Sequence, residues 1–194
     1  MRKDAKKQKN FFDRLAKDWR VGFEVADETF ADLFPVDGLG RVLDVGCGTG
    51  VLTKYLAPRC RSVDAIDVSD EMIARAKKEF SAPNVLFSVA DFYEYEGRYD
   101  CIFVFDAYPH FADKEGFARH AAELLTPGGE LFIAFDESRQ KIDAHHAGHA
   151  KEVSVGLRPP QEEARPFLPY FSVQRIRDDD RYLLVLKKRA PEVL

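Results

Sequence analysis

Residues 42–50 read Val-Leu-Asp-Val-Gly-Cys-Gly-Thr-Gly, and this stretch decides how the chain folds. A run of β-formers, Arg41 to Val45, drives into three glycines at alternate positions, Gly46, Gly48 and Gly50. A helical pattern follows at once through Val51, Leu52, Tyr55 and Leu56. Strand, glycine turn and helix together let a backbone approach a nucleotide-like ligand, because no Cβ stands in the way. A dinucleotide loop wants Gly-x-Gly-x-x-Gly, so that the helix N-terminus can hold a pyrophosphate. Here the third glycine comes one residue early, and Asp44 sits two residues before the first. That carboxylate would repel a pyrophosphate and suits a ligand carrying an ammonium group. Both features disfavour a nicotinamide dehydrogenase.

Working outward, strand and helix patterns alternate from Arg41 to Phe135, as in an α/β fold with a parallel sheet. Ser62–Asp67 reads as the second strand, Asn84–Ala90 as the third, Tyr99–Phe105 as the fourth and Glu130–Phe135 as the fifth. The fourth is almost uninterrupted in apolar residues, which suits a strand buried on both faces. Asp70–Phe80 is the helix between strands two and three, with Ser69 placed to cap it. Lys114–Leu125 is an amphipathic helix stopped by Thr126-Pro127-Gly128-Gly129. Phe171–Arg177 and Arg181–Lys188 are two β patterns joined by three aspartates, a hairpin. Ahead of the sheet, Lys6–Lys17 and Gly22–Leu33 have helical spacing.

The chain has 194 residues, enough to bury a core in one domain. With 45% hydrophobic and 32% charged residues it has the composition of a globular protein. A net charge of −4 argues against a general grip on nucleic acid. The cluster Arg2, Lys3, Lys6, Lys7 and Lys9 reads as a solvated, frayed end. Cys47, Cys60 and Cys101 form no disulfide or zinc framework and read as small buried hydrophobes. No apolar run approaches the ~20 residues of a membrane span, and no signal peptide is legible. A cytoplasmic protein is expected.

Val42–Gly50 resembles the first motif of the class I methyltransferases that use S-adenosylmethionine. The resemblance implies a Rossmann-like sheet of seven strands, mostly parallel, with a C-terminal antiparallel hairpin and helices on both faces. It implies one methyltransferase domain over 1–194: a helical lid segment over 1–35, a cofactor-binding core over 36–136, a substrate-covering insertion over 137–170 and the hairpin over 171–190. In that family the glycine turn, here Gly46, Cys47, Gly48 and Gly50, passes the methionine and ribose of the cofactor, and the acidic residue at Asp44 helps hold the amino group. Asp67 would accept hydrogen bonds from the ribose hydroxyls. Val68 and Met72 belong to the same stretch, Met72 packing on adenine or in the core of its helix. Asp91 would accept from the adenine amino group, with the backbone N–H of Phe92 facing a ring nitrogen. Phe11–Trp19 resembles the opening segment of the ubiquinone/menaquinone type, with Trp19 the candidate for a lid contact.

The acceptor side is Asp106-Ala107-Tyr108-Pro109-His110-Phe111. It lacks the Asn/Asp-Pro-Pro-aromatic box of family members that methylate exocyclic amines, and the Pro-Cys pair of the cytosine-C5 enzymes. A small-molecule acceptor is therefore expected, and no nucleic acid or membrane partner. Methyl transfer from a sulfonium needs a positioned nucleophile and exclusion of water, and a base only where the acceptor must lose a proton. Asp106, at the edge of the fourth strand, touches cofactor or acceptor, and His110 is the first choice for a proton acceptor or substrate hydrogen bond. His145 is the further catalytic candidate. If its segment is helical, His145 and His149 share a face at i, i+4, a spacing that can chelate a metal; a substrate lid is preferred and no metal is expected. Asp106 and Asp136 resemble the Mg²⁺ carboxylates of catechol-type O-methyltransferases, with Glu137 departing from that pattern. Three other readings stay open: that magnesium enzyme, aminopropyl transfer, and a regulatory protein that binds the cofactor without turnover.

Overall fold

The computed structural model describes residues 1–19, 25–148 and 152–190, and the chain divides into two compact units, Met1–Tyr95 and Glu96–Leu194. The first unit opens with helices α1 (Lys3–Leu15) and α2 (Asp27–Leu33). Strand β1 (Leu39–Val45), helix α3 (Val51–Leu56), strand β2 (Cys60–Asp67), helix α4 (Asp70–Glu79) and strand β3 (Val85–Val89) follow. The strands are parallel in the order β3-β2-β1, with Val42 opposite Val63 and Ala65 opposite Phe87. Ser69 caps α4 by accepting the Met72 N–H at 3.1 Å, which fixes the first turn of the helix beside the end of β2.

The second unit contains β4 (Tyr99–Phe105), α5 (Lys114–Leu124), β5 (Leu125–Phe135), α6 (Arg139–Gly148), the short α7 (Pro160–Glu163), β6 (Phe171–Asp178) and β7 (Tyr182–Lys188). Its strand order is β4-β5-β7-β6, with β4 and β5 parallel and β7 antiparallel to both neighbours. Six of the seven residues of β4 are buried, as a strand covered on both faces requires. Phe103 and Phe132 stack across the β4–β5 pair at 4.8 Å between ring centroids. Each such aromatic burial is worth roughly 1.5–3 kcal/mol. The seven strands, mostly parallel with an antiparallel C-terminal pair, are those of the expected fold class.

Two local expectations change. Residues 126–129 do stop α5, but β5 already begins at Leu125, and the ladder shifts register between Tyr99 and Cys101. Gly128, at φ 76°, lets the strand bulge there instead of ending. The basic N-terminus is solvated at Lys3, Lys6 and Lys7, as expected, but it is ordered as a helix: α1 runs from Lys3 and buries Ala5, while Lys9 pairs with Asp13 and with Asp70 of α4. The Lys9–Asp70 pair crosses from α1 to α4, which gives the helix reason to stay docked. Part of the expected helix Gly22–Leu33 lies outside the described residues, as does His149.

Candidate functional site

In the first unit the site is built on the glycine turn. Gly46, Gly48 and Gly50 all take left-handed φ values, 69°, 52° and 82°, a region in which a Cβ is strained. The turn is pinned to β2, since the N–H groups of Gly46 and Cys47 both donate to the Ile66 carbonyl, at 2.8 and 3.0 Å. Gly48 leaves a cradle: a Cβ added there would stand 3.7 Å from the indole Nε1 of Trp19. Gly50 is closed from the other side, where an added Cβ would lie 3.0 Å from the Phe87 ring.

Two carboxylates flank the turn. Asp67 ends β2 and accepts the Gly48 N–H at 3.0 Å on one oxygen and the Ser69 N–H at 2.9 Å on the other. Burial raises its carboxyl above the ordinary value, and these amide donors oppose the rise. Asp44 is buried and accepts the Thr53 hydroxyl at 2.6 Å. Burial pushes it up to about 7, helped by the charge on Asp67 and opposed by Thr53. A carboxylate held so high is poised for a cationic group, which would restore its charge. The Cys47 thiol is buried and pushed well above its ordinary value, so it is no nucleophile.

Asp91 follows β3. It accepts the Tyr93 N–H and the Arg2 N–H, each at 3.2 Å, and the Arg2 guanidinium lies 3.9 Å from the Tyr93 ring centroid. Phe92 and Met72 are both buried, so Phe92 can offer a ligand only its backbone. Val68 is half-buried at the end of β2. The first unit thus brings together Asp44, the glycine turn, Asp67 and Trp19. Thr53, Arg2 and the α1 contacts were not anticipated, and nothing in local spacing announces them.

In the second unit, Asp106 leaves β4 with φ 53°, the one described non-glycine residue at positive φ. A left-handed residue at a strand end makes the position a functional candidate. His110 is buried, its Nδ1 3.0 Å from the Val153 carbonyl. A carbonyl only accepts, so Nδ1 carries the hydrogen and Nε2 keeps its lone pair in the neutral ring. Burial lowers the ring to about 4. The structure brings His146, rather than His145, against His110, with ring centroids 5.1 Å apart; His145 is exposed on α6. The segment after α6 is tied down by Val155 N–H to the Pro109 carbonyl at 3.0 Å and by Leu157 N–H to Asp143 at 2.9 Å. Among the described residues no three His, Cys, Asp or Glu side chains are grouped to hold a metal ion.

Residues 42–129 match the family described as a methyltransferase domain. The malonyl-[acyl-carrier protein] O-methyltransferase of Acetivibrio thermocellus is 30% identical over 161 residues, covering 72% of this chain and 57% of that protein. The ubiquinone biosynthesis O-methyltransferase of Xanthomonas oryzae pv. oryzae is 35% identical over 100 residues, covering 48% of this chain and 42% of that one. The chain therefore spans about half the length of these relatives. Among solved structures, the N-methyltransferase NodS of Bradyrhizobium japonicum in complex with S-adenosyl-L-homocysteine has the same fold, with a TM-score of 0.70 at 18% identity over 95% of this chain and 98% of that one.

Proposed function

We propose that this chain, whose residues 42–129 match the family described as a methyltransferase domain, is a class I S-adenosylmethionine-dependent methyltransferase that transfers a methyl group to a small-molecule acceptor. The observation that carries the reading is the turn itself: three left-handed glycines with Asp67 bonded to the middle one and Asp44 buried behind them. S-adenosylmethionine supplies a methyl group on a sulfonium that departs as a neutral thioether. Asp44 would face the amino group, Asp67 the ribose, Asp91 and the Phe92 backbone the adenine, and Trp19 would shield the turn from water. The lone pairs left on Asp67 after its two amide bonds suit two hydroxyl donors.

On the acceptor side, Asp106 and His110 would orient the nucleophile at the carboxyl edge of β4, the end where open α/β sheets bind ligands. A ring held near 4 accepts a hydrogen bond but does not keep a proton at neutral pH, so His110 would position more than it deprotonates. An oxygen acceptor is favoured because both relatives bear O-methyltransferase names. The whole chain would act as one domain, with residues 137–170 covering the substrate. Among the described residues no helix is long and apolar enough to cross a membrane, and the net charge of −4 supports a partner other than nucleic acid.

Titration calorimetry with S-adenosylhomocysteine tests the cofactor half. Asp67→Ala should weaken binding by roughly 1–3 kcal/mol through the loss of charge-assisted hydrogen bonds; unchanged affinity would put the ribose elsewhere. Mass spectrometry of a panel of phenols, carboxylic acids and amines incubated with enzyme and S-adenosylmethionine tests the acceptor half. Transfer to none of them, with binding intact, would favour a regulatory protein.

A further inference from the structure

α1 ends at Leu15 with Ala16 as its C-cap, and the carbonyls at and beyond a helix end call for donors from outside the helix. Arg75, on α4, answers two of them. Its Nη1 donates to the carbonyls of Ala16 and of Trp19, the latter at 2.9 Å. The rest of the guanidinium is held in place: Nε and Nη2 both donate to Glu79 Oε1, at 2.9 and 2.8 Å. One side chain therefore bridges its own helix and the segment that carries Trp19. A planar fork with donors on two edges can do this, whereas an ammonium on a flexible stem cannot hold both sides in register. A cation also suits the negative end of a helix.

Nearer the start of α4, Asp13 accepts the Ser69 hydroxyl at 2.6 Å and the Lys9 ammonium at 2.6 Å. α1 is thus fastened to α4 along its length, and Arg75 is the last fastening before Trp19. Beyond it stands the indole, its Nε1 beside the cradle that Gly48 leaves open.

We propose that Arg75, braced by Glu79, is a positioning residue that clamps Trp19 over the glycine turn and so sets how tightly the adenosyl cofactor is held. The proposal rests on the reading of that turn as the cofactor site. Arg75 acts through Trp19, without touching the ligand. In a protein whose closed segment is only partly populated, apparent affinity falls by the fraction closed.

Trp19 is the only tryptophan, so intrinsic fluorescence reports its environment alone. In the full-length protein, S-adenosylhomocysteine should change Trp19 emission, and Arg75→Ala should weaken binding roughly 10-fold and red-shift the emission of the free protein. Arg75→Lys should recover part of the affinity, and Glu79→Gln should lose part of it. In a double-mutant cycle, Arg75→Ala should cost little further affinity once Trp19→Ala is present. Lys77→Ala, on the same helix, should bind as the parent does. Equal losses from Arg75→Ala with and without Trp19, or unchanged affinity in Arg75→Ala, would overturn the clamp. If Arg75→Ala melts too early to compare, the Arg75→Lys and Glu79→Gln pair decides in its place: parent affinity and emission in both would also overturn it. Failure of the parent protein to bind S-adenosylhomocysteine would strike the cofactor reading itself, a result separable from Trp19 emission that ignores a ligand which does bind.

Discussion

The glycine turn of the first unit and the His110 corner of the second are built in opposite ways. At the turn, backbone geometry makes the site: left-handed φ values, amide donors aimed at Asp67, and glycines where a Cβ would meet strain or a neighbouring ring. At His110 the site consists of side chains held by contacts from far along the chain, the Val153 carbonyl and the His146 ring. A backbone site tolerates almost no substitution, because few residues can adopt its conformation. A side-chain site can be altered by exchanging one ring for another while the fold survives. That contrast fits a protein whose cofactor is common to a family and whose acceptor is its own.

The contrast breaks most readily at Gly50. Valine there would meet a left-handed φ of 82° and place its Cβ 3.0 Å from the Phe87 ring. Backbone strain of about 1–2 kcal/mol and overpacking of about 1–3 kcal/mol add up to a loss of roughly 2–5 kcal/mol. Thermal unfolding should shift down by on the order of 10 °C. A variant as stable as the parent would mean that the turn is looser than its geometry implies.

Asp44 comes next, and its effect has the opposite sign. Its carboxyl is raised from the ordinary 3.8 to about 7 by burial. A carboxyl whose folded value lies above its unfolded one costs stability as pH rises between the two values, and the full cost is present above about 7. Asp44→Asn keeps an acceptor for the Thr53 hydroxyl and removes the charge. It should stabilise the ligand-free protein by on the order of 2–4 kcal/mol above neutrality, an advantage that fades toward pH 4. The same variant should lose affinity for S-adenosylhomocysteine. In the parent, an ammonium beside Asp44 should lower its value, so affinity should climb as pH rises toward about 7 and level off above it. Calorimetry in buffers of different ionisation enthalpy should show proton release on binding near neutrality. No proton release would place the amino group away from Asp44.

Asp106 sharpens the comparison, because it is the second unit's own case of a strained backbone. With φ at 53°, Asp106→Gly relieves the strain of about 1 kcal/mol and adds a similar entropy cost in the unfolded chain. Stability should stay within about 1 kcal/mol of the parent while methyl transfer falls. A clear gain in stability with transfer intact would make Asp106 a structural turn residue.

These differences explain what could be read from the chain directly. Gly46, Gly48, Gly50 and Asp67 were legible because a left-handed turn next to a strand end admits few residue types, so type and spacing carry the geometry. The strands were legible from apolar runs, every end falling within two residues except the start of β5, which began five residues early because a bulge at Gly128 extends pairing past a helix-stop signal. The His146 contact leaves no signal in the sequence, because helical spacing pairs residues on one helix and says nothing of which ring meets His110. Val153 lies 43 residues from His110, and Ala16 lies 59 from Arg75. A contact between a side chain and a remote carbonyl leaves no pattern in sequence, since every residue has a carbonyl.

Arg2 gives the smallest effect and the finest test. Its backbone N–H occupies one oxygen of Asp91, the carboxylate proposed for the adenine amino group, and its guanidinium covers Tyr93. If both donors seek one carboxylate, the N-terminal segment and the adenine compete, and loosening that segment should tighten binding. Arg2→Ala keeps the N–H and removes the cation–π contact, worth about 0.5–1 kcal/mol at an exposed site. Affinity for S-adenosylhomocysteine should therefore rise by no more than about 5-fold. An analogue carrying a 6-oxo group in place of the 6-amino group should show no such gain, because it offers Asp91 no amino donor. A loss of affinity in Arg2→Ala would mean that the N-terminal segment closes over the bound cofactor and adds to its grip, with Asp91 serving both partners at once.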